Sequence, residues 1–496
     1  MDLDHDACYR AISTRDARFD GRLFTGVKTT GIYCRPVCPA RTPKRENVVF
    51  FTSAAAAQEA GFRPCLRCRP ETSPDLASWR GTSNTVSRAL ALIEAGELDR
   101  GDVDTLAEKL GVGERQLRRL FKQHLGASPI AVAQTRRILL AKQLIHQTRL
   151  SMTDVAMASG FGSVRRFNET FQQLFDRPPA SLRRQRVDKA DSSEAIRILL
   201  PYRPPYDWQA ILAFLAARAI PGVEAVADGC YRRSIEIGGK CGTVAVEAGE
   251  GSSLGATIRF PVLSALPTII ARLRRVFDLA ADPTAINAHL SEDPHLASLV
   301  TARPGLRVPG AWDGFELAVR AILGQQITVS AATMLAGKLV RAFGETLPQA
   351  DTALTHIFPR PAQLSGADIS ARVGMPRARA NAISTMAAAV ERDPQIFGPR
   401  RSLEDGIESL RALSGIGEWT AQYIAMRLLR EPDAFPASDI GLLRAMADAE
   451  GRRPTPAELL ARAEHWRPWR AYAALHLWSA DAVLLKEKSD ARKAAA

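Results

Sequence analysis

The sequence predicts a multidomain α+β chain: a small metal-binding domain, an all-α double helix-turn-helix, an antiparallel α+β sheet domain and an all-α core. Three observations carry this. Four of the seven cysteines fall between residues 34 and 68, and residues 84–186 contain an imperfect internal repeat. Residues 196–300 then alternate apolar and polar side chains, whereas 312–485 read as helix broken by Gly and Pro. A length of 496 residues suits three or four domains. Turn-rich joints at 70–84, 187–195 and 301–314 divide the chain into 1–78, 84–186, 196–300 and 301–485.

Charge is uneven. Residues 1–187 carry 30 Lys and Arg against 19 Asp and Glu, which is +11 of the net +13. An N-terminal portion that meets a polyanion explains this, as does a merely basic soluble surface. No apolar run approaches the ~20 residues of a membrane span. The acidic start MDLDHDACYR lacks a hydrophobic signal core, so the sequence predicts a cytoplasmic protein without a membrane partner. Seven cysteines, unevenly placed, argue for a metal site or reactive thiols over a disulfide framework.

The first domain rests on Cys34, Cys38, Cys65 and Cys68, spaced C-x3-C, 26 residues, C-x2-C. Four thiolates so spaced can surround one tetrahedral Zn2+, and an ordinary structural zinc ribbon satisfies the same spacing. Cys8, Cys230 and Cys241 read as structural. The surrounding GIYCRPVCPARTPKRENVVFF and AAGFRPCLRCRP resemble the N-terminal domain of Ada-type adaptive-response regulators over about residues 5–75. The resemblance implies a zinc that is both structural and catalytic. Cys34 would be ligand and nucleophile toward methyl phosphotriesters in DNA, and Cys38, Cys65 and Cys68 the other ligands. Zinc keeps the thiol as thiolate. Four thiolates leave the cluster with two negative charges, which repel a normal phosphate and tolerate a neutral methyl ester. Arg35, Arg41, Lys44, Arg45, Arg63, Arg67 and Arg69 would bring DNA in, and methylation would strengthen binding.

The second domain rests on the repeat. LAEKLGVGERQLRRLF matches VAMASGFGSVRRFNETF, with Gly111 and Gly113 against Gly160 and Gly162. Each copy reads as helix, glycine turn, helix. The recognition helices fall at about 114–121, presenting Glu114, Arg115, Gln116, Arg118 and Arg119, and about 163–171, presenting Ser163, Arg165, Arg166 and Asn168. Leu106, Leu110, Val112, Leu117 and Phe121 fit one buried face, and Val155, Ala156, Phe161, Phe167 and Phe171 the other. The segment resembles the AraC-type DNA-binding domain, whose two helices enter successive major grooves roughly 34 Å apart. Whether these arginines meet phosphates or guanine edges stays open.

No PCHR motif of an Ada-type alkylguanine methyltransferase follows. Instead, LRALSGIGEWTAQYIAMRLL and DAFPASDIGLLRA suggest a helix-hairpin-helix with an aspartate some twenty residues on. Gly415 and Gly417 would let the turn backbone approach a phosphate. With PYRPPYDWQAILAFLAARAIPGVEAV, ILGQQITVS and WRPWRAYAALHLW, these resemble AlkA-type 3-methyladenine DNA glycosylase II of the HhH-GPD superfamily over about 198–482. Strands 196–300 match its N-terminal sheet domain. The resemblance places Asp439 as the catalytic carboxylate, kept ionised near a helix N-terminus; from the residues alone it serves equally as an N-cap. Trp419, Tyr423 and Trp478 match aromatic base-pocket positions, with core roles open to each and most evenly for Tyr423. Glu418-Trp419 stands where bifunctional relatives carry a lysine, which implies a monofunctional enzyme. Gln326 replaces the usual apolar wedge.

The first reading is thus a repair and regulatory protein. It excises 3-methyladenine and 7-methylguanine, transfers methyl groups to Cys34 and activates transcription. Its partners would be double-stranded DNA, damaged or at promoters, and RNA polymerase, with the protein a monomer. The alternatives are an AraC-type regulator whose glycosylase half only binds DNA, and a plain glycosylase with a zinc targeting arm.

Overall fold

The computed structural model describes residues 4–73, 84–183, 195–348, 350–398, 400 and 402–494. Among these, no helix is long and apolar enough to cross a membrane. Two compact units emerge. The first comprises Met1–Tyr202, Ile237–Lys240 and Val246–Arg274, the second Arg203–Glu236, Cys241–Ala245 and Arg275–Ala496.

In the first unit, β1 (Phe24–Val27), β2 (Ile32–Cys34), β3 (Val48–Phe51) and β4 (Arg63–Pro64) form a sheet in the order β3-β1-β2-β4. β1 pairs antiparallel with β2, placing Thr25 opposite Cys34, while β4 runs parallel to β2 with Pro64 beside Tyr33. A short helix, α1 (Ala54–Glu59), is capped by Ser53. Tyr33, Phe24 and Ala57 make the small core.

The repeat folds as two helix-turn-helix units. The first pairs α2 (Asn84–Glu94) with α3 (Val103–Lys109) and α4 (Glu114–Leu125). The long α5 (Pro129–Gln147) leads to α6 (Met152–Ala158) and α7 (Val164–Phe175). The equivalent glycines Gly111 and Gly160 both have positive φ, 66° and 89°, so the turn selects glycine in each copy. Leu106, Leu110, Leu117 and Phe121 are buried, and so are Val155, Ala156, Phe161, Phe167 and Phe171; Val112 packs at the first core's margin. Both recognition helices run four residues past the expected ends. Leu125 and Phe175 each continue the buried stripe by one more turn before a left-handed cap ends the helix.

The alternating segments form β5 (Ile196–Pro201), β6 (Glu224–Ala227), β7 (Cys230–Ile237), β8 (Lys240–Ala248) and β9 (Ser253–Arg259), in the order β5-β9-β8-β7-β6. In the second unit, nine of the ten residues of α8 (Gly314–Leu323) are buried, which makes it the central core helix. Even Glu316 lies inside, where Arg233 donates to it at 2.8 Å. α9 (Val329–Phe343) follows, capped by Thr328. α10 (Glu418–Ile424) runs into a π-helical turn at Ala425–Leu429. The short α11 (Ile440–Ala445) packs on α12 (Arg470–Ala494).

Candidate functional site: two anionic centres

Strand β2 ends at Cys34, the first cysteine. The amide of Cys65 donates to the Tyr33 carbonyl at 3.0 Å, which draws the second knuckle against the first. The four Sγ atoms of Cys34, Cys38, Cys65 and Cys68 lie within 4.8 Å of one another. A tetrahedral zinc with ~2.3 Å bonds to sulfur needs edges of roughly 3.8 Å, so the free thiols fit one ion after a small contraction. Cys65 and Cys68 are buried, whereas Cys34 and Cys38 are partly exposed.

The sulfurs differ in their hydrogen bonds. Cys65 Sγ accepts from the amides of Arg67 at 3.3 Å and Cys68 at 3.5 Å, and Cys68 Sγ accepts from the Arg35 amide at 3.4 Å. Among the described residues, no backbone amide donates to Cys34. An N–H bond stabilises thiolate charge and lowers its basicity, and nucleophilicity falls with basicity. Cys34 is therefore more electron-rich than Cys65 and Cys68, and it is one of the two that solvent reaches.

One expectation is corrected. Arg35 does not face outward to DNA. Its guanidinium is largely buried, holding Asp20, the Cys68 carbonyl and Thr72. It is a strut beneath the knuckle, because its backbone sits in the tight turn between two ligands. Arg45 is exposed and pairs with Asp6. Beneath Cys65 lies a fully buried ion pair: Lys142 of α5 reaches Glu71 at 2.8 Å and donates to the Cys65 carbonyl at 3.0 Å. On the helix-turn-helix pair, Arg115, Arg118, Arg165, Arg166 and Asn168 are all exposed. Arg118 pairs with Glu114 and Arg165 with Glu169, each four residues apart on the helix.

The second centre lies at the start of α11. Asp439 caps that helix, its Oδ1 accepting from the amides of Gly441 at 2.9 Å and Leu442 at 3.2 Å. Trp478 Nε1 donates to the same oxygen at 2.9 Å, and Trp419 Nε1 donates to Oδ2 at 2.8 Å. The N-cap role that the residues alone allow is present, and the same carboxylate also takes both indole donors. Three donors load Oδ1 and one loads Oδ2, which retains accepting capacity. Trp419 and Tyr423 stack on each other, with centroids 5.1 Å apart and planes 11° apart, while Trp478 meets Tyr423 edge-on. There is therefore no slot between Trp419 and Tyr423; a planar ligand meets one outer face of that stack.

Sequence reasoning missed Arg427, whose only sequence signal is its place four residues after Tyr423. On the π-helical turn it donates to the Tyr423 hydroxyl at 2.6 Å and to the Pro309 carbonyl at 2.8 Å. Burial acts to raise the Tyr423 phenol, but Arg427 and Arg218 outweigh it and pull it below the ordinary value.

The hairpin glycines play different parts. Gly415 has φ +82°, and a Cβ there would meet Ala382 Cβ at 2.6 Å; a Cβ on Gly417, the N-cap of α10, would meet nothing. Gln325 Nε2 donates to the Gly415 carbonyl at 2.8 Å, fastening the preceding loop to the hairpin. Its neighbour Gln326 is exposed, with φ +59°.

Four family models match the chain: the metal binding domain of Ada over residues 7–71, a helix-turn-helix domain over 106–185, the AlkA N-terminal domain over 197–313, and the HhH-GPD superfamily base excision DNA repair protein over 319–471. Fold and site thus define a fusion of an Ada-type zinc and helix-turn-helix half with a base-excision half. The chain is 42% identical over 483 residues, 97% of each sequence, to a probable bifunctional transcriptional activator/DNA repair enzyme AlkA of Mycobacterium tuberculosis, and it belongs to that family. It is also 37% identical to DNA-3-methyladenine glycosylase 2 of Escherichia coli K12, over 56% of this chain and 95% of that one. A solved 3-methyladenine DNA glycosylase from Archaeoglobus fulgidus shares the fold at TM-score 0.51 and 22% identity, covering 58% of this chain and 98% of that one. The fold class, the zinc with four cysteine ligands and double-stranded DNA as partner all stand as the sequence led us to expect.

Proposed function

We propose that the chain repairs alkylated DNA in two ways and couples one of them to transcription. It excises alkylated purines, 3-methyladenine and 7-methylguanine, as a monofunctional glycosylase. It also accepts methyl groups from DNA methyl phosphotriesters on Cys34 and then acts as a methylation-responsive activator. The observation that supports this best is the Asp439 carboxylate fixed by four N–H donors, two of them from indoles. In this reading the domains span 1–78, 84–186, 196–300 and 301–485.

In excision, a flipped alkylpurine cation stacks on the Trp419–Tyr423 pair and Trp478. The N-glycosidic bond breaks with its electrons leaving on the base, which departs neutral. Asp439 faces the positive sugar, and water then adds to C1′, losing its proton to Oδ2 or solvent. Gly415, Gly417 and Gln326 hold the DNA around the lesion. No lysine occupies the hairpin at Glu418-Trp419, so the strand stays uncut.

In methyl transfer, Cys34 Sγ attacks the methyl carbon. The S–C bond forms, the C–O bond breaks, and the phosphodiester leaves as an anion. Cys38, Cys65 and Cys68 complete the zinc site, and bound zinc supplies the stabilisation that keeps Cys34 as a thiolate. Arg45 and the residues Arg115, Arg118, Arg165, Arg166 and Asn168 engage DNA. The protein works as a cytoplasmic monomer with RNA polymerase as its partner at promoters.

One experiment tests both halves. The zinc-loaded chain, Cys34→Ala and Asp439→Asn are each incubated with methylated duplex DNA. Asp439→Asn should lower base release by about 10²–10³-fold, the scale of a lost electrostatic stabiliser, while leaving methyl transfer intact. Cys34→Ala should do the reverse. A wild-type chain that releases no base would leave the regulator whose C-terminal half only binds DNA.

A further inference from the structure

We propose that Asp481 is a positioning residue that keeps Arg444 from pairing with Asp439. The inference rests on the excision reading above and adds a residue pair to it. Arg444, on α11, meets Asp481, on α12, in a two-pronged bond: Nε to Oδ1 at 2.8 Å and Nη2 to Oδ2 at 2.7 Å. Asp481 is buried, and Arg444 is only partly so. The pair lies beside the reacting carboxylate. A Cβ built on Gly441 would stand 3.1 Å from Asp439 Oδ1, 3.1 Å from Asp481 Oδ2 and 3.3 Å from Trp478 Cδ1. Two carboxylates thus flank one glycine, where a side chain would crowd both, and the Arg444 guanidinium bonds only one of them.

A carboxylate that stabilises a cationic sugar through space loses that effect once a guanidinium neutralises it. Arg444 lies within the field of Asp439 as well as of Asp481, and its long side chain has the freedom to reorient. What holds it is the fork geometry at Asp481, which matches a guanidinium with two parallel bonds. At Asp439, by contrast, Oδ1 already takes three donors. Remove the charge of Asp481 and that balance reverses: Arg444 turns to the open side of Asp439 Oδ2. Asp481 also follows Trp478 by three residues on α12, so the pair fixes the helix that carries one of the indole donors.

The test uses the full zinc-loaded chain and three variants: Asp481→Asn, Arg444→Met and the double variant. Asp481→Asn should lower kcat for 7-methylguanine release about tenfold or more with KM for DNA little changed, because binding contacts are untouched. The double variant, lacking the wandering guanidinium, should recover to within about threefold of wild type. A second readout needs no activity. The indole N–H resonances of Trp419 and Trp478, assigned with Phe variants, should shift in Asp481→Asn and return in the double variant. If those resonances stay put in Asp481→Asn, or the double variant is as slow as Asp481→Asn, the pair is only a helix clamp and the proposal falls. Wild type without base release, yet with indole shifts that appear and revert as described, would sink the excision reading and leave the Asp481–Arg444 relation standing.

Discussion

The two anionic centres treat hydrogen-bond donors in opposite ways. At the zinc site, amides donate to the buried Cys65 and Cys68, and the sulfur proposed to react is one they leave alone. At the glycosylase site, the proposed reacting group is the most heavily donated atom, with three N–H groups on Asp439 Oδ1. The chemistry asked of each explains the difference. A nucleophile must share a lone pair with carbon, and every donor on that lone pair lowers its reactivity. A carboxylate that steadies a cation shares no electrons with it. It needs a fixed position, and donors supply that without reorganisation during the reaction.

The supports of the centres differ as well, and the largest effect is expected there. Behind Cys65 stands the Lys142–Glu71 pair, fully buried and charged; behind Gly415 stands the neutral amide of Gln325, with an exposed hydrogen bond. Lys142→Met leaves the Glu71 carboxylate buried without its partner and should cost about 3–5 kcal/mol. Urea unfolding measures it, and adding Glu71→Gln should recover part of the loss. Because Lys142 belongs to α5, between the two helix-turn-helix units, hydrogen exchange along 129–147 should rise together with zinc release. Exchange confined to residues 34–73 would show the zinc centre to be supported from within its own domain.

A smaller effect tests the donor count on Asp439. Trp478→Phe and Trp419→Phe each remove one N–H while retaining most of the aromatic face. A hydrogen bond to a charged group contributes about 1.5 kcal/mol or more, so kcat for base release should fall roughly tenfold in Trp478→Phe and further in Trp419→Phe. The Trp419 bond, at 2.8 Å, matches the Trp478 bond at 2.9 Å, but among the described residues it is the only indole bond on Oδ2, so its loss frees the oxygen that faces the reaction in our reading. If Trp419→Phe slows the enzyme no more than Trp478→Phe, the two oxygens are equivalent and the asymmetry carries no function. The same variants leave Cys34 chemistry untouched, which measures how independently the two centres work.

What could be read from the sequence follows the physical range of each signal. The cysteine quartet, the doubled glycine turn and the GIG-to-aspartate spacing are local patterns, and each survives folding unchanged. The buried helical stripes were legible because period 3.6 repeats within a few residues. The Lys142–Glu71 pair was not legible, since its members stand 71 residues apart and look like two ordinary surface charges. Arg35 misled for the same reason: an arginine beside a cysteine reads as basic surface until Asp20 and Thr72 are seen around it. The stacking of Trp419 on Tyr423 depends on how α10 passes into its π-helical turn, which no spacing in the sequence announces.

The smallest expected effect concerns Gln326. It is exposed, adopts φ +59° and adjoins Gln325, which is bonded to the hairpin. A residue held in the left-handed region on an exposed loop tip is aimed outward by its backbone, and a non-glycine there carries a strain of order 1 kcal/mol. Gln326→Leu keeps that strain and swaps an amide tip for an apolar one, so folding stability should move by less than about 0.5 kcal/mol. An apolar tip gains by leaving water for the base stack, whereas the amide gives up hydration on entering it. KM for alkylated duplex should therefore fall about two- to fivefold with kcat for base release unchanged, the mark of binding equal in ground and transition states. Methyl transfer to Cys34, which makes no use of this loop, should keep its rate. A change in kcat instead would place Gln326 within the chemistry of the carboxylate centre and would narrow the contrast between the two sites.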